Sequence, residues 1–258
     1  MNNFLTLLNK EFLGLWRSSK VIWLPIVFML LSLMQPVTYY FMDDIMKMSG
    51  SLPEGAVFEM PIPTSGEVMA SVLSQLNTIG LLLIIVAAMG TISDERKSGA
   101  LMLIFTRPLS SLQIVASKTV AHATLLVFSF VCGYLLSLYY TILLFSSLPF
   151  TDVLVSMLIY SLYIVFVVSC VVLTSAILSG NGAIAIINVI FISLLTLVSG
   201  YFQEQLAWSP TQLSSYASSI VMGKEVNEGL VGSIILTICL IIILQIVASN
   251  RLNKNKLG

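Results

Sequence analysis

Six long apolar runs, none with a charged residue at its centre, constrain this chain more than any other feature of it. They lie at Val21 to Phe41, Met69 to Ile92, Thr119 to Phe145, Val153 to Leu178, Ala183 to Tyr201 and Leu230 to Ser249. A helix of about 20 apolar residues matches the roughly 30 Å hydrocarbon layer of a bilayer. A closed β-barrel would need alternating segments of about ten residues, and stretches such as Leu81 to Ala88 do not alternate. Of the 258 residues 57% are hydrophobic and 9% charged, which leaves too few polar side chains to cover a water-soluble surface. The pattern predicts an all-α fold, a polytopic membrane helix bundle with six transmembrane helices.

The segments between the runs divide the charges unevenly. Lys10, Arg17 and Lys20 precede the first run; Arg96, Lys97, Arg107 and Lys118 lie between the second and third; Arg251, Lys254 and Lys256 follow the sixth. Ten of the twelve basic residues thus fall on one face of an even-numbered bundle, with Lys47 and Lys224 on the other. The positive-inside rule predicts that both termini and the 93–118 loop are cytoplasmic. The expected external loop, 42–68, is punctuated by Gly50, Pro53, Gly55, Pro61, Pro63 and Gly66, as an irregular exposed segment would be. At the N-terminus Phe4, Leu7, Leu8, Phe12 and Leu15 recur at helical spacing, with Lys10 and Arg17 off that stripe. This predicts an interfacial helix that turns into the membrane between Arg17 and Lys20. In the fifth loop, Ser209-Pro210-Thr211 is suited to start a short helix through Leu213, Tyr216 and Ile220, lying on the outer membrane surface; a plain loop is the alternative.

The connection from Gly90 to His122 is the longest expected on the cytoplasmic side and the most patterned. Ser93 or Asp94 is placed to cap a helix, with Glu95 in its first turn. Gly99 leaves room for close approach, the apolar group Leu101 to Phe105 follows, and Arg107-Pro108 ends the element. Ser110 and Gln113 then have capping-box spacing at the start of a helix leading through Lys118 into the third run. Exposing Leu101 to Phe105 to water would cost roughly 1.5–3 kcal/mol for each large side chain. That face either packs on the chain's own bundle or docks into another protein.

Taken in order, Gly90, Ile92, Glu95, Gly99, Arg107-Pro108-Leu109-Ser110 and Lys118, with the N-terminal Lys10-Glu11 and Arg17, resemble the motifs of ABC-2 type permeases. The likeness covers the whole chain in span count, loop sizes and topology. It is nearest to small bacterial single-domain permeases made beside a separate ATPase. It implies one permease domain over residues 1–258 and a transmembrane subunit of an ATP-binding cassette exporter in the cell membrane. It further implies ATP-binding cassette ATPase partners, a permease dimer, and a cytoplasmic coupling helix at Glu95 to Phe105. On that reading Glu95, Gly99, Leu101, Leu103, Ile104 and Phe105 couple to the ATPase, supported by the motif positions Gly90, Arg107, Pro108, Ser110 and Lys118. The chain lacks a large external domain, and the resemblance does not name the cargo.

No G-x-x-x-x-G-K-[ST] loop is present, so the chain is expected to bind no cofactor itself; ATP and Mg would be used by the partner subunit. A membrane enzyme would need convergent acid–base or metal-ligating residues, and Asp43-Asp44 and Asp94-Glu95 stand without histidines beside them. An ATP-independent channel, an ion-coupled transporter or a regulatory membrane anchor are the alternatives. Ion coupling usually places an ionisable residue within a span; here only His122 lies near one end, either as a relay or as a packing residue. Zero formal net charge provides no field for nucleic acid. The embedded amides Gln35, Gln75, Asn77, Asn188 and Gln245 either bond across helices or line the pathway. Cys132, Cys170 and Cys239 all sit inside apolar runs, as small hydrophobes.

Overall fold

A computed structural model describes residues 3–42, 44, 63–101, 109–226 and 229–254. Among them are six helical stretches long and apolar enough to cross a membrane: Lys20–Tyr40, Ser65–Lys97, Ser111–Leu144, Phe150–Ile177, Asn181–Tyr201 and Gly229–Asn253. These are the six runs read from the sequence, the second and third extended at their starts by capping boxes. The described residues form no strand.

The chain begins with α1 (Asn3–Arg17), which buries Leu7, Glu11 and Leu15, one turn apart along a single face. It turns at Ser18-Ser19, where Ser19 takes a left-handed φ of 59°, into α2 (Lys20–Tyr40). The predicted inward turn between Arg17 and Lys20 is therefore present. Pro25 and Pro36 both lie inside α2, which continues through them.

The second span starts earlier than its apolar run suggests, because Thr64 and Glu67 form a capping box ahead of it. It runs as α3 (Ser65–Gln75), a π-helical turn (Leu76–Gly80) and α4 (Leu81–Ala88). After a turn at 89–92 comes the short α5 (Ser93–Lys97). Residues 43 and 45–62 of the expected external loop lie outside the described residues.

The capping box predicted at Ser110 and Gln113 is present: Gln113 N–H donates to Ser110 Oγ at 3.2 Å, and Ser110 N–H donates to Gln113 Oε1 at 3.4 Å. It opens α6 (Ser111–Leu144), whose 34 residues form one helix that includes Lys118. At 1.5 Å per residue α6 is about 50 Å long, so one end projects beyond the hydrocarbon layer. The remaining elements are α7 (Phe150–Ile177), α8 (Asn181–Tyr201), α9 (Gln212–Val221) and α10 (Gly229–Lys254).

The centre of the bundle is α7, which packs against α4, α6, α8, α9 and α10. Its interface with α6 carries a stack of buried rings, Phe130 4.8 Å from Tyr160 and 5.4 Å from Tyr134. On the other side of α6 lies α2, and the two approach so closely at Gly133 that any Cβ there would sit 2.7 Å from the Phe28 carbonyl oxygen. By contrast α8 and α10 expose Ile186, Ile190, Leu194 and Val231, Ile235, Ile242, the apolar surface expected of lipid-facing helices.

The helix predicted near Ser209 exists, and its apolar face is covered by the chain's own bundle. Leu213, Ala217 and Val221 of α9 are buried, and the helix packs against α7 and α3. Enclosure is possible because its polar groups are satisfied inside the protein. The hydroxyls of Ser199, Ser209 and Thr211 bond one another at 2.9–3.0 Å, and Gln212 Nε2 donates to the Ser199 carbonyl at 2.6 Å. These bonds, rather than a side-chain cap, occupy Thr211.

Candidate coupling site

At the end of the bundle where the basic residues gather, α5 is fastened on two sides. On the first side are charges. The Leu7-Glu11-Leu15 stripe packs toward α6, so its central carboxylate is drawn inward between two leucines. There it meets Lys118, whose Nζ lies 3.1 Å from Glu11 Oε1 and 2.9 Å from Glu95 Oε2. Lys118 is only 1% exposed, and an ammonium at that depth needs carboxylate partners. Lys10 completes the group at 2.5 Å from Glu95 and 3.2 Å from Glu11, so two cations face two anions. Burial works to lower the Lys10 pKa, but its hydrogen bond to Glu95 and the two nearby carboxylates outweigh it, and the pKa is raised.

On the second side the contacts are hydrogen bonds rather than ion pairs. Ser175 Oγ of α7 accepts the Ile92 and Ser93 N–H groups, each at 3.0 Å. These are free donors at the start of α5, so its cap comes from another span. The predicted cap by Ser93 or Asp94 is therefore corrected: Ile92 holds the cap position with no side-chain bond of its own. Ser93 Oγ instead donates to Asn181 Oδ1 at 2.6 Å. The Arg96 guanidinium donates to the Ala176 and Ile177 carbonyls, the last turn of α7.

The expected single helix from Glu95 to Phe105 does not form. α5 stops at Lys97, and Gly99 adopts a left-handed φ of 74° with its N–H donating to the Arg96 carbonyl at 3.2 Å. Gly99 thus ends a helix. Within the chain it permits no close approach, since a Cβ there would meet nothing within 4 Å. Leu101 is 5% exposed and belongs to the chain's own core, which is the self-packing alternative for this residue. Leu103, Ile104, Phe105, Arg107 and Pro108 lie outside the described residues. Asp94, Lys97, Ser98 and Gly99 make the outward surface of the element. Gly90 precedes it, its carbonyl accepting the Asp94 N–H at 3.2 Å.

Two embedded amides join helices. Asn188 Nδ2 donates to Thr174 Oγ1 at 2.6 Å, and Gln245 accepts from Thr119 Oγ1 at 3.1 Å while donating to Ser169 Oγ at 3.4 Å. Gln75 and Asn77 flank and occupy the π-helical turn, with Gln75 Nε2 3.8 Å from Met34 Sδ. Gln35 is half-buried on α2. His122 is buried, with Nδ1 3.0 Å from the Lys118 carbonyl one turn back, the position of a packing residue. Sequence reasoning missed Glu11, Ser175 and Asn181 as parts of this site. For Glu11 a signal existed, a lone carboxylate at the centre of an apolar stripe. Ser175 and Asn181 carry none, because their partners lie more than 80 positions away.

An α-helical bundle whose described residues include six stretches long and apolar enough to cross a membrane, with a buried charge cluster at the end of the second, has the architecture of a polytopic membrane protein. Residues 5–208 match the family model described as ABC-2 family transporter protein, and the chain belongs to that family. It is also similar to the uncharacterized transmembrane protein YxlG of Bacillus subtilis (strain 168), with 32% identity over 254 residues covering 98% of each chain.

Proposed function

We propose that this permease is the transmembrane half of an ATP-driven exporter, in which separate ATP-binding cassette subunits bind ATP and Mg. Two copies pair with two ATPase subunits, with both termini and the 93–118 loop in the cytoplasm. The observation that carries this reading is α5, tied internally to α1, α6, α7 and α8 while Asp94, Lys97, Ser98 and Gly99 face outward. A short element with one free surface and rigid attachments to several spans can pass a push at that surface into the bundle. The Glu95 carboxylate is engaged inside the chain, so its role is to transmit the push, and the exposed residues meet the ATPase.

Co-purification with the ATPase and nucleotide hydrolysis by the complex test this. Gly99→Ala strains only the left-handed backbone, by about 1–2 kcal/mol, and is expected to retain ATPase binding. Gly99→Trp adds bulk on the open surface and is expected to abolish it. Equal binding by both variants would remove the docking surface from residues 94–99. Glu95→Lys would bring a third ammonium beside Lys118 and Lys10 and is expected to uncouple hydrolysis from transport. For topology, cysteine labelling at Ser51, in a background without Cys132, Cys170 and Cys239, is expected from the external side. Labelling from the cytoplasm alone would reverse the orientation.

A further inference from the structure

Asn181 opens α8 directly after the turn from α7. A turn between Gly180 and Gly182 needs no carboxamide, yet this one is bonded on both of its ends. Its Oδ1 accepts from Ser93 Oγ at 2.6 Å and from Lys97 Nζ at 3.1 Å. Its Nδ2 donates to Asp94 Oδ1 at 2.7 Å. The three partners are two donors and one anionic acceptor, all on α5. An amide matches that polarity; a carboxylate would repel Asp94, and an aliphatic side chain would satisfy none of them.

The rest of α8 is loosely held. Its buried residues are Ile184, Asn188, Ile192 and Ser199, and much of its length faces outward. Among the described residues, the hydrogen bonds between α5 and α8 all run through this one side chain, while α8 also packs against α4. Glu95 makes the corresponding attachment from α5 to α6 through Lys118. The two bonds leave α5 in different directions, one toward the third span and one toward the fifth.

Resting on the transporter reading above, we infer that Asn181 is the positioning residue that makes the fifth span follow α5, independently of the Glu95–Lys118 link to the third. A displacement of α5 drags the start of α8 only while both ends of the amide are bonded. Without it, the same displacement reaches α6 and leaves α8 behind.

The experiment uses the full permease–ATPase complex in nanodiscs, with the three native cysteines replaced and a bimane fluorophore on a cysteine at exposed Tyr139 of α6 or exposed Tyr201 of α8. The readout is the fluorescence change on adding ATP and vanadate. Asn181→Leu and Asn181→Asp are each expected to remove most of the Tyr201 response. The Tyr139 response should persist. The exchange Asp94→Asn with Asn181→Asp restores a donor facing a carboxylate and is expected to restore the Tyr201 response. An undiminished Tyr201 response in Asn181→Leu, or an exchange that keeps ATPase binding and the Tyr139 response but repairs nothing at Tyr201, overturns the inference. So does joint loss of both responses, which would make the amide a general support of the fold. If the unaltered complex shows no nucleotide response at either position, the transporter reading fails first and the role of Asn181 falls with it.

Discussion

Lys118→Met is expected to destabilise the protein by about 3–5 kcal/mol, the usual cost of removing one partner from a buried ion cluster. The loss would leave Glu11 and Glu95 facing each other with only the half-exposed Lys10 between them. Thermal unfolding of the detergent-solubilised chain measures it. The magnitude reflects two stranded carboxylates more than the worth of the ion pairs. Neutralising them as well, in Lys118→Met with Glu11→Gln and Glu95→Gln, is therefore expected to recover most of the stability. Recovery of stability without recovery of ATPase coupling would assign the charges to transmission. If the triple variant is as unstable as the single one, Lys118 supports the fold by packing, and the electrostatic account is wrong.

Gly133→Leu is expected to prevent accumulation of folded protein, and Gly133→Ala to cost about 1–3 kcal/mol, the range for overpacking a closed core. The Cβ of alanine would lie 2.7 Å from the Phe28 carbonyl oxygen and 2.8 Å from Ser32 Oγ, and the first of these is backbone that cannot rotate away. The first span would have to move off the third. Close backbone approach at small residues is how helices associate where lipid competes equally for apolar side chains. Melting temperature and protease sensitivity report the effect. An alanine variant as stable as the parent would show that α2 is not seated on α6 as described.

The spans, the capping box at Ser110 and the turn after Arg17 were all legible in the amino-acid order. Each depends on residues within about one span of one another, through transfer of apolar side chains to lipid and bonds to neighbouring backbone. That locality also explains the misreadings. Ser93 has the composition of a cap, but Ser175 reached the free N–H groups first, from a residue 82 positions away. The apolar periodicity of α9 indicated a covered face, and only packing decided that α3 and α7 cover it. For Leu101 the sequence left packing on the bundle and docking elsewhere both open, and the fold supplied a core within reach.

Charge counting placed Lys118 and Glu95 at the same end of the bundle but did not pair them, and it treated Glu11 as one member of a motif. Pairing required α1 to lie against α6, which brings Glu11 and Lys118 together across 107 positions. Hydropathy along the chain therefore determined how many helices are able to cross and which residues form their apolar middles. The direction each polar side chain faces, and hence which of them form a site, was decided by tertiary packing, because a buried charge or amide takes its partner from whichever helix packing brings beside it.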